Sequence, residues 1–297
     1  MKRLAKLGCL SACKYLGIFW LFRRLNRNGI RILCYHGLAV ASDQSRFRPK
    51  LFMASATFRK RMAWLRRHGY RVISLDEAVD ALRQGKATRD AVVITMDDGF
   101  YGSFLYGIPI AMEFGYPVTV YVTTWYVENH APVVGLVQQY EEWRGAAPEA
   151  DRRFTLMTAA EIAEAARCGI DIQLHTHRHR WPSSADELRR EIADNRRVLM
   201  PLVSKSLCHF CYPSGTFTTE HWPLLRELGI TSATTLERGM VRSDDHPLRL
   251  PRLLDGSNLT PIEFQARMCG LLDLLQETRR RFRSFARSAP RRAAPAD

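Results

Sequence analysis

From residue 30 onward the chain alternates between short apolar stretches, typical of buried strands, and longer amphipathic stretches, typical of helices. Strands are predicted at residues 30–36, 71–75, 91–96, 117–124, 170–174, 209–212, 231–236 and 248–253. Helices are predicted at 57–68 and after three capping boxes, which begin at Ser74, Thr158 and Ser184. So many strand–helix–strand repeats indicate an α/β fold with a mostly parallel sheet, either open or closed into a barrel.

Three stretches break this alternation and suggest domain boundaries. Residues 1–29 form a basic amphipathic segment, and residues 273–297, rich in Arg and then in Ala and Pro, are expected to form a flexible tail. Residues 125–154 are a long insertion for which a lid or binding loop is expected; its aromatic residues include Trp125, Tyr126, Tyr140 and Trp143. The remaining span, 30–272, is long enough to bury one large core as a single domain.

The N-terminal segment is too short and too basic to be read as a membrane span or a signal peptide. Lys14 interrupts its apolar run, and no small-x-small cleavage site follows before the first strand. An interfacial helix is one interpretation, because Trp20 and Phe22 lie among basic residues. A helix packed against the rest of the fold is an equal alternative.

The net charge of +14 is concentrated at the two ends of the chain. Residues 1–31 carry +8 and residues 276–297 carry +5, which leaves about +1 for everything between them. A nearly neutral body argues against a nucleic-acid groove across the fold. Basic ends instead favour contact with an anionic membrane surface, which would be peripheral and on the inner face of the cytoplasmic membrane.

The seven cysteines are predicted to be reduced and mostly buried, because several stand in apolar contexts such as those of Cys34 and Cys168. That usage favours a cytoplasmic location over a disulfide-bonded secreted protein. The pair Cys208 and Cys211 invites a zinc or redox interpretation. Residues three apart in a strand point to opposite faces, however, so a place in the core is the preferred interpretation.

Two predicted strands end in side chains that could carry chemistry. The strand at 91–96 runs directly into Asp97 and Asp98, and the strand at 170–174 is followed by His175 and His179. One carboxylate and two imidazoles from neighbouring strand ends would make a metal site with open coordination positions. The second carboxylate would then be free to act as a base.

These residues also carry a family resemblance. The run Thr95-Met96-Asp97-Asp98-Gly99 resembles the T-F-D-D-G motif of the polysaccharide deacetylases, the NodB-type carbohydrate esterases, with Met96 in place of the usual Phe. The run from His175 to His179 matches the H-[ST]-x-x-H motif of that family, and the run from Phe210 to Gly215 is similar to its third motif. The resemblance implies a distorted (β/α) barrel and metal-dependent removal of N-acetyl groups from amino sugars.

The resemblance also implies a role for individual residues. Asp98, His175 and His179 would bind a divalent metal, most plausibly Zn²⁺, and Asp97 would be the catalytic base. Thr176 would support the site by hydrogen bonding, and the Tyr212 backbone N–H would stabilise the oxyanion. His177 lies outside the ligand pattern, and a structural role is expected for it.

The general acid and the partner of the base are harder to place. Many family members carry the acid in a C-terminal Leu-x-His motif, but no histidine follows His246 here. Tyr35-His36 matches an N-terminal Tyr-His motif of another branch, so His36 is predicted to be the acid, on the face of the site opposite Asp97. The third motif lacks the arginine that orients the base in many members. Arg252 is predicted to replace it, with a surface ion pair as the alternative.

The predicted function is therefore hydrolysis of N-acetyl groups in an exopolysaccharide or cell-surface polysaccharide, with release of acetate. Two alternatives stay open. Some members of the family remove acetyl or formyl groups from lipid-linked sugars, a substrate that would suit the basic N-terminal segment. A catalytically inactive saccharide-binding relative is the other alternative, although such a protein would have no reason to keep Asp97 as a base.

Overall fold

The computed structural model describes residues 2–86, 88–144 and 152–274. These residues fall into two compact units. One unit consists of residues 27–260, and the other combines residues 2–26 with the described residues from Pro261 onward. The larger unit contains every strand of the described chain.

The strands of the larger unit are short, and all pairings between them are parallel. They are β1 (Arg31–Tyr35), β2 (Gly37–Leu38), β3 (Phe52–Met53), β4 (Arg71–Val72), β5 (Ala91–Met96), β6 (Val118–Val122), β7 (Asp171–Leu174), β8 (His209–Cys211), β9 (Ser232–Arg238) and β10 (Leu250–Leu254). Seven of them, all except β2, β3 and β4, close into a barrel in the order β1-β5-β6-β7-β8-β9-β10. The predicted mostly parallel α/β barrel is confirmed.

Strand β1 closes the barrel because it pairs with β5 on one side and with β10 on the other. Its register places Tyr35 opposite Met96 and Leu33 opposite Leu253. Strand β4 lies outside the closed ring and pairs only with the first two residues of β5. Since all seven strands run in the same direction, the residues that follow them meet at one end of the barrel.

Helices connect the strands and cover the barrel. The larger unit contains α3 (Gln44–Phe47), α4 (Ser55–Arg67), α5 (Leu75–Arg83), α6 (Ile108–Glu113), α7 (Trp125–Asn129), α8 (Val134–Arg144), α9 (Ala159–Arg167), α10 (Ala185–Leu199) and α11 (Trp222–Glu227), and the smaller unit contains α1 (Lys2–Tyr15), α2 (Ile18–Leu25) and α12 (Pro261–Met268). A wider, π-helical turn occurs at Ser103–Gly107. Tighter 3-10 turns occur at Arg152–Phe154, Met200–Leu202, Pro213–Gly215 and Thr219–His221.

The predicted capping boxes do begin helices. Thr158 forms a complete box, in which its hydroxyl accepts from the Glu161 N–H and the Glu161 carboxylate accepts from the Thr158 N–H. Ser74 and Ser184 each accept a hydrogen bond from the N–H three residues later. These caps satisfy donors that the first turn of a helix leaves without an intrahelical partner.

The insertion at 125–154 is more ordered than the predicted loop, because its described residues form α7 and α8. Tyr140 and Phe154 pack with Phe52 and Phe100 of the larger unit in one buried aromatic cluster. The Tyr140 hydroxyl donates to the Asp43 carboxylate over 2.6 Å. The aromatic residues of this segment therefore serve mainly as packing, although Trp125 and Trp143 keep exposed surface.

The smaller unit packs α1, α2 and α12 around an apolar cluster that includes Leu10, Phe19, Phe22 and Ala266. Lys6 adds an ion pair with Glu263 over 2.6 Å. No single helix of the described residues is long and apolar enough to cross a membrane, although the bent pair of helices at 3–15 and 18–25 together meets the criteria of length and composition. The sequence placed the end of the barrel domain at 272, whereas the barrel unit ends at 260. The predicted tail lies outside the described residues, apart from 273 and 274.

All seven cysteines carry free thiols. Cys34, Cys211 and Cys269 are buried, as predicted. Cys9 and Cys168 are exposed, so the expectation of burial is wrong for Cys168. Cys168 lies at the C-terminal end of α9, immediately before Gly169, where the chain turns with a positive φ of 85°.

Candidate metal centre and catalytic site

The candidate site lies where the barrel strands end. Asp97 and Asp98 follow β5, His175 follows β7, and His36 follows β1. Asp98 and Gly99 both adopt left-handed backbone conformations, with φ of 68° and 83°, which turns the chain sharply at the strand end. A side chain is strained at such φ values, and Asp is among the few residues that tolerate them.

Asp98, His175 and His179 converge on one point. The Nε2 atoms of the two imidazoles lie 3.2 and 3.1 Å from Asp98 Oδ1, and the three donor atoms are within 4.8 Å of one another. His179 itself has a left-handed conformation, with φ of 53°. Burial opposes ionisation of Asp98, but the two imidazoles outweigh it and hold the pKa of this carboxyl well below its usual value.

The ring of His175 is oriented by the strand next to it. Its Nδ1 lies 2.7 Å from the Cys211 carbonyl oxygen, which can only accept a hydrogen bond. Nδ1 must therefore carry the hydrogen, and Nε2 is the atom left to face Asp98. Burial lowers the pKa of His175, but the interactions with Cys211 and Asp98 prevail and raise that pKa well above its usual value.

These three residues fit a divalent metal. Two Nε2 atoms and one carboxylate oxygen are a donor set typical of zinc and of other divalent ions with open positions. The Cys211 carbonyl supplies the outer hydrogen bond that ligating histidines usually make.

Asp97 lies beside this centre and is fully paired with Arg252. The guanidinium donates from both terminal nitrogens to the two carboxylate oxygens, each over 2.7 Å. Burial by itself raises the pKa of Asp97, but Arg252 more than offsets that effect and keeps the pKa below its usual value. Asp97 is thus ionised at neutral pH. Arg252 has 0% exposure, which rules out the alternative of a surface ion pair.

Arg252 is itself held rigidly by the barrel interior. Its Nε donates to the Thr235 carbonyl over 2.8 Å, and one terminal nitrogen also donates to the Thr95 hydroxyl over 3.2 Å. Two thiols complete the surroundings of the base: Cys34 and Cys211 lie 3.6 and 3.5 Å from Asp97 Oδ2. The contacts of these two thiols with the base were not predicted, since the preferred interpretation of both cysteines was a place in the core.

His36 lies next to Asp97 and not across the site from it. Its Nε2 is 3.9 Å from Asp97 Oδ2, so the expected position opposite the base is wrong. The cause is strand register: Tyr35 pairs with Met96, which places His36 and Asp97 side by side at the ends of adjacent strands. His36 Nδ1 is buried and makes no hydrogen bond to any described residue.

The Tyr212 backbone N–H already has a partner within the sheet. It donates to the Thr234 carbonyl over 3.1 Å, which continues the ladder between β8 and β9. The Tyr212 hydroxyl is also engaged, since it donates to the Leu248 carbonyl over 2.9 Å. The structure therefore contradicts the role predicted for this N–H, because the sheet already uses it.

The loop that carries the two histidines is supported from α10. Asn195 accepts from the His175 N–H and donates to the Val122 carbonyl, and the Glu191 carboxylate accepts from the Arg178 N–H. The sequence contained a signal for Asn195, because this polar residue stands on the same helical stripe as Ile192 and Leu199. The interpretation of the sequence missed it.

Predictions were also made for two residues between the histidine ligands, and the structure agrees with only one of them. His177 is buried and contacts the Thr124 hydroxyl over 2.9 Å, which agrees with a structural role. Thr176, which was expected to support the site by hydrogen bonding, has a buried hydroxyl without a partner among the described residues. Its left-handed φ of 61° helps the loop to present the two histidines instead.

The fold and these strand-end motifs define a class of protein, and comparison with known proteins agrees with it. The family model for polysaccharide deacetylases matches residues 84–233. The chain therefore belongs to the polysaccharide deacetylase family. Among curated proteins, YxkH of Bacillus subtilis (strain 168) is 23% identical over 225 residues, which cover 75% of this chain and 70% of YxkH.

Two other relatives have named substrates. The poly-beta-1,6-N-acetyl-D-glucosamine N-deacetylase of Escherichia coli (strain K12) is 31% identical over 91 residues, which cover 30% of this chain and only 13% of that protein. The enzyme of the same name from Staphylococcus aureus (strain N315) is 19% identical over 213 residues, which cover 68% of this chain and 67% of that protein.

Solved structures confirm the fold. The Streptococcus pyogenes deacetylase PplD superposes with a TM-score of 0.65 at 22% sequence identity. The superposition covers 81% of this chain and 98% of PplD. IcaB from Ammonifex degensii superposes with a TM-score of 0.64 at 20% sequence identity, and that superposition covers 82% of this chain and 97% of IcaB. The described chain is thus a NodB-type (β/α) barrel.

Proposed function

We propose that this protein is a metal-dependent deacetylase that hydrolyses N-acetyl groups of amino sugars in an exopolysaccharide or cell-surface polysaccharide. One observation carries the proposal. A two-histidine, one-carboxylate cluster converges at the end of the barrel, directly beside a second carboxylate that is kept ionised by a buried arginine. Named relatives that act on poly-N-acetylglucosamine support an amino-sugar polymer as the substrate.

Asp98, His175 and His179 would hold the divalent metal, with zinc the preferred ion. When bound, such an ion supplies Lewis acidity that polarises the amide carbonyl and lowers the pKa of water. The chain contributes the position of its donor atoms, because the Cys211 carbonyl fixes the His175 ring and α10 holds the loop.

Asp97 acts as the general base in this proposal. It is ionised and buried, and Arg252 holds both of its oxygens in a fixed plane. As water attacks the amide carbon, Asp97 accepts the proton that the water loses. The bidentate pairing with Arg252 orients the carboxylate and stabilises its charged form before the substrate arrives.

His36 acts as the general acid. Cleavage of the C–N bond needs a proton on the leaving nitrogen, because an amine anion is a poor leaving group. Histidine is suited to this step, since its unperturbed pKa is about 6.5. The His36 ring is partly exposed and 3.9 Å from Asp97, so acid and base stand together at one edge of the site. The products are acetate and a free amino sugar.

A second candidate substrate is a lipid-linked amino sugar, and the surface of the smaller unit favours it. Trp20 on α2 is 65% exposed, and Leu21 and Leu25 on the same helix are also exposed among basic residues. We propose that this helix contacts anionic lipid at the inner face of the cytoplasmic membrane. Contact of this kind would bring the protein to substrates with a lipid carrier.

The decisive experiment measures acetate release by the purified, zinc-loaded chain from N-acetylglucosamine oligomers and from a lipid-linked N-acetylated sugar. Asp97→Asn should retain the metal and lose about two to four orders of magnitude in turnover. Asp76→Asn is a matched control, since Asp76 is also paired with a histidine but lies at the start of α5, away from the strand-end site. Its variant should keep wild-type turnover.

The outcomes separate the candidates. Release from the oligomers alone supports the polysaccharide, and release from the lipid-linked sugar alone supports the second candidate. Saccharide binding without release of acetate from either would indicate an inactive relative. An Asp97→Asn variant with wild-type turnover would show that another group accepts the proton.

A further inference from the structure

A second cluster of titratable side chains lies at the opposite end of the barrel from the metal centre. Cys208 and His209 stand at the start of β8, and Asp76 is in the first turn of α5. The His209 Nε2 atom is 2.8 Å from Asp76 Oδ1, and His209 Nδ1 is 2.8 Å from the Ser232 hydroxyl. The ligand atoms of Cys208, His209 and Asp76 all lie within 4.8 Å of one another.

The charges of this cluster are already balanced without a bound ion. Lys205 donates to Asp76 over 3.2 Å and lies 3.9 Å from Asp171. Burial opposes the protonation of His209, but its hydrogen bond to Asp76 prevails and raises its pKa to about 9. The imidazolium and the Lys205 ammonium therefore compensate the two carboxylates, and no negative charge is left over to attract a metal cation.

The Cys208 thiol is placed beside these cations. The Gln173 side-chain carbonyl accepts from the N–H groups of both Cys208 and His209, which holds the start of the strand in position. The His209 side chain lowers the pKa of the Cys208 thiol below its usual value. Cys208 is also partly exposed, unlike the buried Cys34 and Cys211.

A surface cavity lies beside the segment that leads into this partly exposed thiol. A cavity of about 620 Å³ is lined by the three residues that precede Cys208, from Lys205 to Leu207. Arg196 also lines the cavity and donates to the Leu207 carbonyl over 3.0 Å. The cavity thus carries two cationic side chains and one carboxylate, that of Glu227, which is paired with Arg189, so small anionic molecules are favoured there.

We propose that Cys208 is a reactive thiolate and a site of covalent modification by small anionic disulfides. In the reaction the thiolate attacks one sulfur of the disulfide, a new S–S bond forms to Cys208, and the other half of the reagent leaves as a thiolate. No metal takes part, and the site is independent of the deacetylase activity proposed above. The imidazolium of His209 and the ammonium of Lys205 stabilise the attacking sulfur anion.

The test measures how fast iodoacetamide alkylates each cysteine of the full chain, with the modified positions identified by peptide mapping. Iodoacetamide reacts with the thiolate and releases iodide, so its rate reports the thiolate fraction of each cysteine. Cys168 is the internal control, since it is more exposed but stands outside the cluster. At neutral pH Cys208 should react at least about threefold faster than Cys168, despite its smaller exposure. A disulfide reagent with two carboxylates should show the same preference.

Variants connect the rate to the cluster. His209→Gln should slow alkylation of Cys208 by about tenfold, and Lys205→Gln should slow it by about two- to threefold, with Cys168 unchanged in both. Lys205→Arg keeps the positive charge, so Cys208 should be alkylated at the wild-type rate in that variant. Lys205 is half exposed, so its variants should fold even if His209→Gln does not. Equal rates for Cys208 and Cys168, or a Cys208 rate unaffected by Lys205→Gln, would overturn the proposal.

Discussion

The pairing of Arg252 with Asp97 makes the sharpest prediction about this molecule. Arg252→Met keeps much of the side-chain volume but removes the cation from a carboxylate that is buried and accepts two hydrogen bonds of 2.7 Å. Breaking a buried ion pair by removing one partner costs about 3–5 kcal/mol. We expect a loss of that size in the free energy of unfolding at pH 7.

The loss should depend on pH, with a sign that follows from the pKa of Asp97. Arg252 depresses that pKa in the folded state, so the stability it contributes is present above the unfolded pKa of about 3.9 and is lost as pH falls. In Arg252→Met the largest influence that opposes burial is gone, with only His36 and His175 left to lower the pKa of Asp97, so that pKa should rise. The deficit relative to wild type should therefore shrink between pH 7 and pH 4.5.

Urea unfolding of metal-free protein at both pH values tests this reasoning, because chelation removes any contribution of metal binding to stability. The control is the double variant Asp97→Asn with Arg252→Met, in which no unpaired charge is left. It should recover about 2–3 kcal/mol relative to Arg252→Met. A deficit that is the same at both pH values, together with no recovery in the double variant, would show that Arg252 acts by packing alone.

Further predictions concern the metal, the acid and the membrane. His179→Ala should lose stoichiometric zinc in metal analysis, while His68→Ala, at an exposed helix end, should keep it; zinc retained in both would refute the ligand assignment. His36→Gln should lower turnover by about two to four orders of magnitude with an unchanged zinc content, and wild-type turnover would exclude it as the acid. Deletion of residues 1–28, or Trp20→Ala, should weaken salt-sensitive binding to anionic vesicles in flotation, whereas Trp143→Ala, also exposed, should not; equal flotation of all forms would leave the helix without a membrane role.

Much of the fold could be predicted because strands and helices leave periodic signals in the chain. Short apolar stretches identified the core strands of the barrel, and capping residues such as Ser74 and Thr158 identified helix starts. The insertion at 125–154 was less predictable. Its helix α8 has only a weak amphipathic pattern and gains order from Tyr140 and Phe154, which pack on residues far away in the sequence.

The candidate ligands could be named from the sequence, because Asp98, His175 and His179 each follow a strand that ends at the same edge of the sheet. The positions of the motifs predicted that one of the two carboxylates and two histidines would meet, since parallel strands place their carboxyl ends together. The resemblance to polysaccharide deacetylases then assigned Asp98 to the metal and Asp97 to the role of base. Nothing in its neighbourhood along the chain, however, indicated what would compensate its charge.

The contacts of the base depend on strand order and register, which a single sequence does not encode locally. Alternation shows which side chains point inward but not which neighbours stand at the same level. Arg252 reaches Asp97 only because β10 closes the barrel onto β1, and the Tyr212 N–H is used by β9. His36 stands beside Asp97 because β1 pairs with β5. Residue types and their periodicity thus specify the candidates for chemistry, while closure of the barrel determines which of them touch.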